Sequence, residues 1–216
     1  MGRPKAWLPV GGRTMLETVL DAVGAGLRLA GAEPRTSGKA PAAGSRPDPP
    51  MVVVAAPDQA LPPLPAGVKR AEDAVEGEGP LRGMQAGFNL IADHADAVFV
   101  SSCDAPLIRP AFVARMVLLL GDHDIAVPYV DDRHHPLGAV YRTSLAAVIG
   151  DLLDSGRRRP FDLFDRARTR VVTAEELRSA DPDLDSLKNF NSPAEYDQLL
   201  VRLAGGDRGT GLGGSR

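Results

Sequence analysis

Lys5 is the first side chain along this sequence whose setting suits a definite chemistry. It stands beside Pro4 and ahead of the short segment Ala6-Trp7-Leu8-Pro9-Val10-Gly11-Gly12, with a helix expected beyond. A lysine ammonium is a compact charge that can settle on phosphate oxygens, so this is half of what a polyphosphate needs. A second candidate lies in Ser101-Ser102-Cys103-Asp104-Ala105-Pro106-Leu107. There an apolar run ends and Asp104 emerges, with Pro106 stopping the strand. A hard carboxylate in that position suits Mg²⁺, which is held by one or two carboxylates together with substrate phosphates; the plainer role is to cap the following turn. The third is Gly77-Glu78-Gly79-Pro80-Leu81-Arg82-Gly83-Met84, a loop running into a helix. Glycines let backbone approach a flat ligand, and the first amides of a helix favour an anion.

Other segments are more ambiguous. Asp131-Asp132-Arg133-His134-His135-Pro136-Leu137 pairs two histidines, but a zinc set is incomplete without further ligands at suitable spacing, so a pocket-shaping loop is expected. In Lys188-Asn189-Phe190-Asn191-Ser192-Pro193, Asn191 or Ser192 can cap the last helix, with a role in placing an acceptor or phosphate as the alternative. Arg157-Arg158-Arg159 is either a solvated face or a grip on an anionic substrate. Cys103 has no base in view to activate it and reads as a packed thiol. Trp7 reads as core or pocket wall.

These residues need elements to position them. Thr14 and Glu17 form a capping box ahead of a helix over about 15–29, whose apolar positions recur at helical spacing. Residues 31–50 are rich in Gly, Pro, Ala and Ser and read as a flexible loop. Met51-Val52-Val53-Val54-Ala55 and Ala97-Val98-Phe99-Val100-Ser101 are unbroken apolar runs of the kind that parallel sheets bury on both faces. Further strands are expected at 125–128, 137–141 and 170–173, and helices at 81–94, 110–120, 144–154 and 193–203. The glycine-rich tail, 205–216, is expected to be disordered. Strands alternating with helices predict an α/β fold, a three-layer and mostly parallel Rossmann-like sheet, in one domain over 1–204. In such sheets ligands bind at the carboxyl ends of strands, where Asp104 falls.

Composition narrows the partners. The chain has 216 residues, 44% hydrophobic, with a formal net charge of −3. That balance offers no general attraction to nucleic acid or to an anionic membrane surface. No apolar run reaches the roughly 20 residues of a membrane span, and the opening residues lack the apolar stretch of a signal peptide. A single cysteine fits a reducing compartment. A cytoplasmic protein with neither nucleic acid nor membrane among its partners is expected.

Taken in order, the motifs resemble the molybdenum cofactor guanylyltransferases of the MobA-like nucleotidyltransferase family. Met1, Gly2 and Lys5 match the last fixed positions of Leu-Ala-Gly-Gly-x-Ser-x-Arg-Met-Gly-x-x-Lys. Asp104 and Pro106 match an Asp-x-Pro metal motif. Gly79, Pro80, Leu81 and Gly83 match Gly-Pro-Leu-x-Gly, and His135-Pro136-Leu137 matches Asp-Gly-x-x-His-Pro-Leu, with Asp132 replacing its glycine. Asn189, Asn191, Ser192 and Pro193 match Asn-x-Asn-Thr-Pro-Glu-Asp.

The resemblance implies transfer of GMP from GTP to molybdopterin, with pyrophosphate leaving. Lys5 would stabilise the triphosphate, and Asp104 would hold Mg²⁺. Asp73, or its neighbour Glu72, together with Gly79, Pro80, Leu81 and Gly83, would seat the nucleoside. His135, Pro136, Asn189 and Asn191 would face the acceptor. Molybdoenzymes or cofactor-assembly proteins are possible partners. Alternatives within the resemblance are a related enzyme using CTP or another phosphorylated acceptor, and an inactive truncated paralogue. In the family a further central strand and a glycine-rich loop precede the lysine. The resemblance therefore implies an N-terminally truncated sheet, with a natural start ~15–20 residues upstream, about one strand and its loop.

Overall fold

The structure is a computed structural model that describes residues 4–32, 48–73, 77 and 79–206. Most of the 205–216 tail and most of the 31–50 loop fall outside the described residues; Gly205 and Gly206, expected in the disordered tail, instead end the last helix. A 3₁₀ turn, Lys5–Trp7, leads into a small hairpin of β1 (Pro9–Val10) and β2 (Arg13–Thr14). Then follow α1 (Met15–Ala32), β3 (Met51–Ala55), β4 (Val68–Glu72), α2 (Pro80–Ile91), β5 (Ala97–Ser101), α3 (Pro110–Leu120) and β6 (Ile125–Val130). The chain continues through β7 (Arg133–His134), β8 (Gly138–Arg142), α4 (Ala146–Asp154), β9 (Thr169–Thr173), α5 (Ala174–Arg178) and α6 (Pro193–Gly206). The capping box ahead of α1 is made: the Thr14 amide donates to Glu17 Oε2 at 2.8 Å, and the Glu17 amide to Thr14 Oγ1 at 3.2 Å.

The larger sheet runs β5-β8-β6, with β9 on the far side of β6. β6 and β9 are parallel, and β8 is antiparallel to both β5 and β6, so β5, β6 and β9 all point one way. Alternate residues of its strands enter two cores. Ile125, Val127, Ala139 and Tyr141 pack against Leu81, Met84 and Phe88 of α2 and Ile149 and Leu152 of α4. Ala126, Val130, Val140 and Val172 face Phe112 and Met116 of α3 and Leu177 of α5. This is the three-layer α/β arrangement. Helices α1 and α3 cross closely at Gly26, where a Cβ would lie 2.5 Å from Val113 Cβ. No helix among the described residues is long and apolar enough to cross a membrane.

β3 and β4 form a separate parallel pair. Between β3 and β5 lies a cavity of about 570 Å³, walled by both strands, Leu16, Val19, Leu20 and Val23 of α1, and Met84, Phe88 and Ile91 of α2. All five residues of β5 are consequently only half-buried, although their unbroken apolar run belongs to a strand covered on both sides. β4 was not foreseen: Val-Lys-Arg-Ala-Glu has three charged residues in five and is mostly exposed, so it lacks the apolar run by which its neighbours announce themselves.

Pro128 sits inside β6. β8 pairs with Ile125 and Ala126, β7 with Tyr129 and Val130, and between them the His135 amide donates to the Pro128 carbonyl at 2.9 Å. The partner strand thus breaks at His135-Pro136-Leu137, which bulges at the carboxyl edge of the sheet. β6 and β7 are joined by Asp131 and Asp132, with φ of 52° and 55°. Positive φ at both central residues is the I′ hairpin turn, and aspartate is among the residues that tolerate it. Asp132 therefore adopts a glycine-like conformation where the resembling motif carries glycine.

Candidate active site

Lys5 and Asp104 come together although 99 residues separate them, with Lys5 Nζ donating to Asp104 Oδ2 at 2.7 Å. The 3₁₀ turn of Lys5–Trp7 carries the lysine. It is anchored by Ala6, which packs with Leu16, Leu20, Val53 and Cys103. Asp104 follows the end of β5, as the parallel frame requires, and its side chain is only 11% exposed. The Lys5 ammonium also donates to Asn191 Oδ1 at 2.6 Å, and the Phe190 amide donates to the Asp104 carbonyl at 3.0 Å. The segment before α6 is thereby clamped on the carboxylate.

That segment is fixed at both ends. Ser192 caps α6: its Oγ accepts from the Glu195 amide at 3.2 Å, while Glu195 Oε2 accepts from the amides of Asn191 and Ser192 at 2.7 and 2.9 Å. These amide hydrogen bonds hold the Glu195 carboxyl below its usual range. On the other side, Asp185 is buried and accepts from Lys188 at 2.8 Å and from the Arg202 guanidinium. Buried Asp181 accepts from the Ser186 amide at 2.7 Å and pairs with Arg109 at 3.1 Å. Burial alone would raise the Asp185 carboxyl; the hydrogen bonds from Lys188 and Arg202 outweigh it and hold it low. This acidic clamp gave no signal in the sequence, because Arg109 and Arg202 reach its carboxylates only in the folded chain, although Lys188 lies three residues from Asp185.

Asp104 Oδ1 is buried and makes no hydrogen bond among the described residues, nor does the nearby Ser102 Oγ. A carboxylate oxygen left over after the lysine has taken the other is the kind of hard donor a divalent cation accepts. Among the described residues no group of three His, Cys, Asp or Glu is placed to hold a metal. Asp104 would therefore be a single protein ligand, with phosphates and water completing the shell, which is how Mg²⁺ is ordinarily bound beside a nucleotide. Cys103 is half-buried, and burial first, then the Asp104 charge, pushes its thiol pKa up. It is a packed thiol, not a nucleophile.

The glycine loop lies along the same cavity. Asp73, Gly77, Pro80 and Gly83 line it together with Ser102 and Cys103, the residues just before Asp104. Gly79 is the N-cap of α2 with φ 85°, and a Cβ there would meet the Arg158 carbonyl at 2.9 Å. Gly83 adjoins Asp73, whose Oδ2 would lie in ordinary contact, 3.5 Å, with a Cβ at that position. Pro80 opens the helix at its first turn, where a missing N–H costs nothing. The Leu81 side chain is fully buried in the core, so any contribution it makes to a ligand is through its backbone.

The acceptor candidates are spread wider. His135 is half-buried and its Nε2 lies 3.3 Å from the Val130 carbonyl; burial lowers its pKa. The Pro136 carbonyl accepts from Tyr141 OH at 2.8 Å. These contacts make the bulge a rigid rim beside β5, since Gly138 pairs with Ser101. Asn189 is exposed, two residues before the Asn191 that reaches Lys5. Trp7 is 39% exposed and donates to the Ala60 carbonyl, so it clips the proline-rich 57–65 segment and is not a core residue.

The family model of the MobA-like NTP transferase domain matches residues 1–171. Over 137 residues the chain is 32% identical to the molybdenum cofactor guanylyltransferase of Desulfosudis oleivorans, covering 63% of this chain and 67% of that one. It is 33% identical over 212 residues to the probable molybdenum cofactor guanylyltransferase of Mycolicibacterium paratuberculosis, covering 94% of this chain and 90% of that one. Against several such relatives it spans somewhat less than two thirds of their length, 64% in Methanothermobacter thermautotrophicus. The molybdopterin-guanine dinucleotide biosynthesis protein A of Archaeoglobus fulgidus superposes with a TM-score of 0.67 at 19% identity over 94% of this chain and 92% of that one, a likeness of fold.

Proposed function

The chain belongs to the MobA-like NTP transferase family, and we propose from this that it transfers GMP from GTP to molybdopterin, releasing pyrophosphate. The observation that carries the reading is the Lys5–Asp104–Asn191 cluster at the carboxyl end of β5, with a buried carboxylate oxygen that has no partner among the described residues. Lys5 neutralises triphosphate oxygens, and the fixed Asn191 segment keeps the ammonium aimed at them. Asp73 and the Gly79–Gly83 backbone receive the nucleoside, and the α2 amides face its phosphates. His135, Pro136 and Asn189 bound the side from which the acceptor enters. The chemistry asks only that two anions be brought together and growing charge be offset, so no covalent intermediate on the protein is required. A divalent ion on Asp104, taken here as Mg²⁺, would polarise the α-phosphate.

The test is pyrophosphate release from GTP in the presence of Mg²⁺ and molybdopterin, with the dinucleotide product identified by mass. CTP supplied in place of GTP is the control for base choice. Release that requires both GTP and molybdopterin supports the reading. Release with CTP alone, or none with either nucleotide, contradicts it.

A further inference from the structure

Four aromatic rings meet at the carboxyl edge of the larger sheet, outside the nucleotide site described above. Tyr129 and His134 pair across β6 and β7 with ring centroids 4.9 Å apart. Phe164 lies 5.2 Å from His134, and Phe161 lies 6.1 Å from His134 and 5.6 Å from Phe164. Tyr129 continues the face of β6 on which Ile125 and Val127 are fully buried, yet it is 40% exposed, and Phe161 is 45% exposed. Solvent-facing aromatic rings grouped in this way are more informative than scattered ones.

The position gives the cluster a use. β5, β8 and β6 are successive strands, so the carboxyl end of β6 stands two strand spacings, roughly 10 Å, from that of β5, the strand that Asp104 follows. The exposed Arg159 leads into Phe161, Arg157 is paired with Asp162 at 3.5 Å, and the Arg158 carbonyl lies against Gly79 of the nucleotide loop. Flat rings, with Arg159 beside them, therefore adjoin one rim of the triphosphate site. An anion with a planar heteroaromatic body and a phosphate arm can lay the body on the rings and reach the α-phosphate with the arm.

We infer that Tyr129, His134 and Phe161 form the stacking site for the pterin ring of the acceptor, resting on the reading of this chain as a transferase to molybdopterin. Stacking on aromatic faces holds a flat ring with few hydrogen bonds, which leaves the phosphate arm free to meet the nucleotide.

The experiment titrates the full chain with neopterin monophosphate, read by pterin fluorescence, and separately with Mg²⁺-GTP, read by melting temperature. Tyr129→Ala/Phe161→Ala is compared with Tyr129→Phe and the wild type, each checked for an unchanged melting temperature without ligand. The double variant should bind the phosphopterin at least tenfold more weakly, Tyr129→Phe should bind it as the wild type does, and Mg²⁺-GTP binding should be unchanged in both. A double variant that binds the phosphopterin undiminished overturns the site. So does a wild type that binds Mg²⁺-GTP but no phosphopterin, or a double variant that loses only self-association; these leave nucleotide transfer standing. Ring-dependent phosphopterin binding without any Mg²⁺-GTP binding supports the stacking site and overturns the transferase reading instead.

Discussion

Lys5 Nζ lies 2.7 Å from Asp104 Oδ2, joining the start of the described chain to the exit of β5. The pair is held from a third direction, since Asn191 Oδ1 accepts from the same ammonium. A cation, a carboxylate with one oxygen to spare and a fixed amide converge where a parallel sheet ends. Each prediction below tests one part of that arrangement or of the frame around it.

Gly79→Ala should weaken Mg²⁺-GTP binding at least tenfold. The position has φ 85° and a Cβ would press on the Arg158 carbonyl at 2.9 Å, so the loop proposed to receive the nucleotide must shift. Titration calorimetry reads the loss, and binding equal to wild type would show that the loop does not touch GTP.

Gly26→Ala should destabilise the fold by about 1–3 kcal/mol, the usual cost of overpacking. The added methyl would collide with Val113 Cβ at 2.5 Å and the Pro110 carbonyl at 2.6 Å, both at the α1–α3 crossing. Urea unfolding reads it, and a neutral result would mean the two helices separate freely.

Asp185→Asn should lower the melting temperature at pH 7 and flatten its acid dependence. The carboxyl is held below its unfolded value by Lys188 and Arg202 against the opposing effect of burial. A depressed pKa contributes stability that is fully present above the unfolded value, about 3.9, and is lost as pH falls through the folded one. The two melting curves should therefore run apart down to about pH 4 and draw together only as the pH falls further. Parallel curves would assign the acid sensitivity elsewhere.

The cavity between β3 and β5 should bind an apolar dye such as ANS. Val54→Trp, which puts an indole into the cavity that Val54 lines, should displace the dye. Dye binding unaffected by that substitution would place the dye elsewhere on the molecule.

Much of this was legible in the sequence because it depends on local patterns. The capping box at Thr14, the unbroken apolar runs of β3 and β5 and the helical spacing of α1 each follow from a few neighbouring residues. Lys5 and Asp104 could be paired through the family resemblance, which implies a triphosphate between a cation and a metal-binding carboxylate. What stayed hidden is long-range or polar. Asn191 meets Lys5 across 186 residues, and the burial of Asp181 and Asp185 depends on Arg109 and Arg202, which no motif links to them. The aromatic cluster is assembled from three separate segments, and its members look like ordinary core residues along the chain. β4 was missed for its charge, and Trp7 was misplaced because an indole can serve equally well as core or as a surface clip.

The most direct test of the central claim, that a metal-bridged triphosphate rests between Lys5 and Asp104, is calorimetric titration of GTP into wild type and Asp104→Ala, with Mg²⁺ and with EDTA. The wild type should bind at least tenfold more tightly with Mg²⁺. Asp104→Ala, folded by its melting curve, should bind equally weakly in both conditions. A variant that keeps the full Mg²⁺ enhancement would contradict the account, because the metal would then be held somewhere other than at the end of β5.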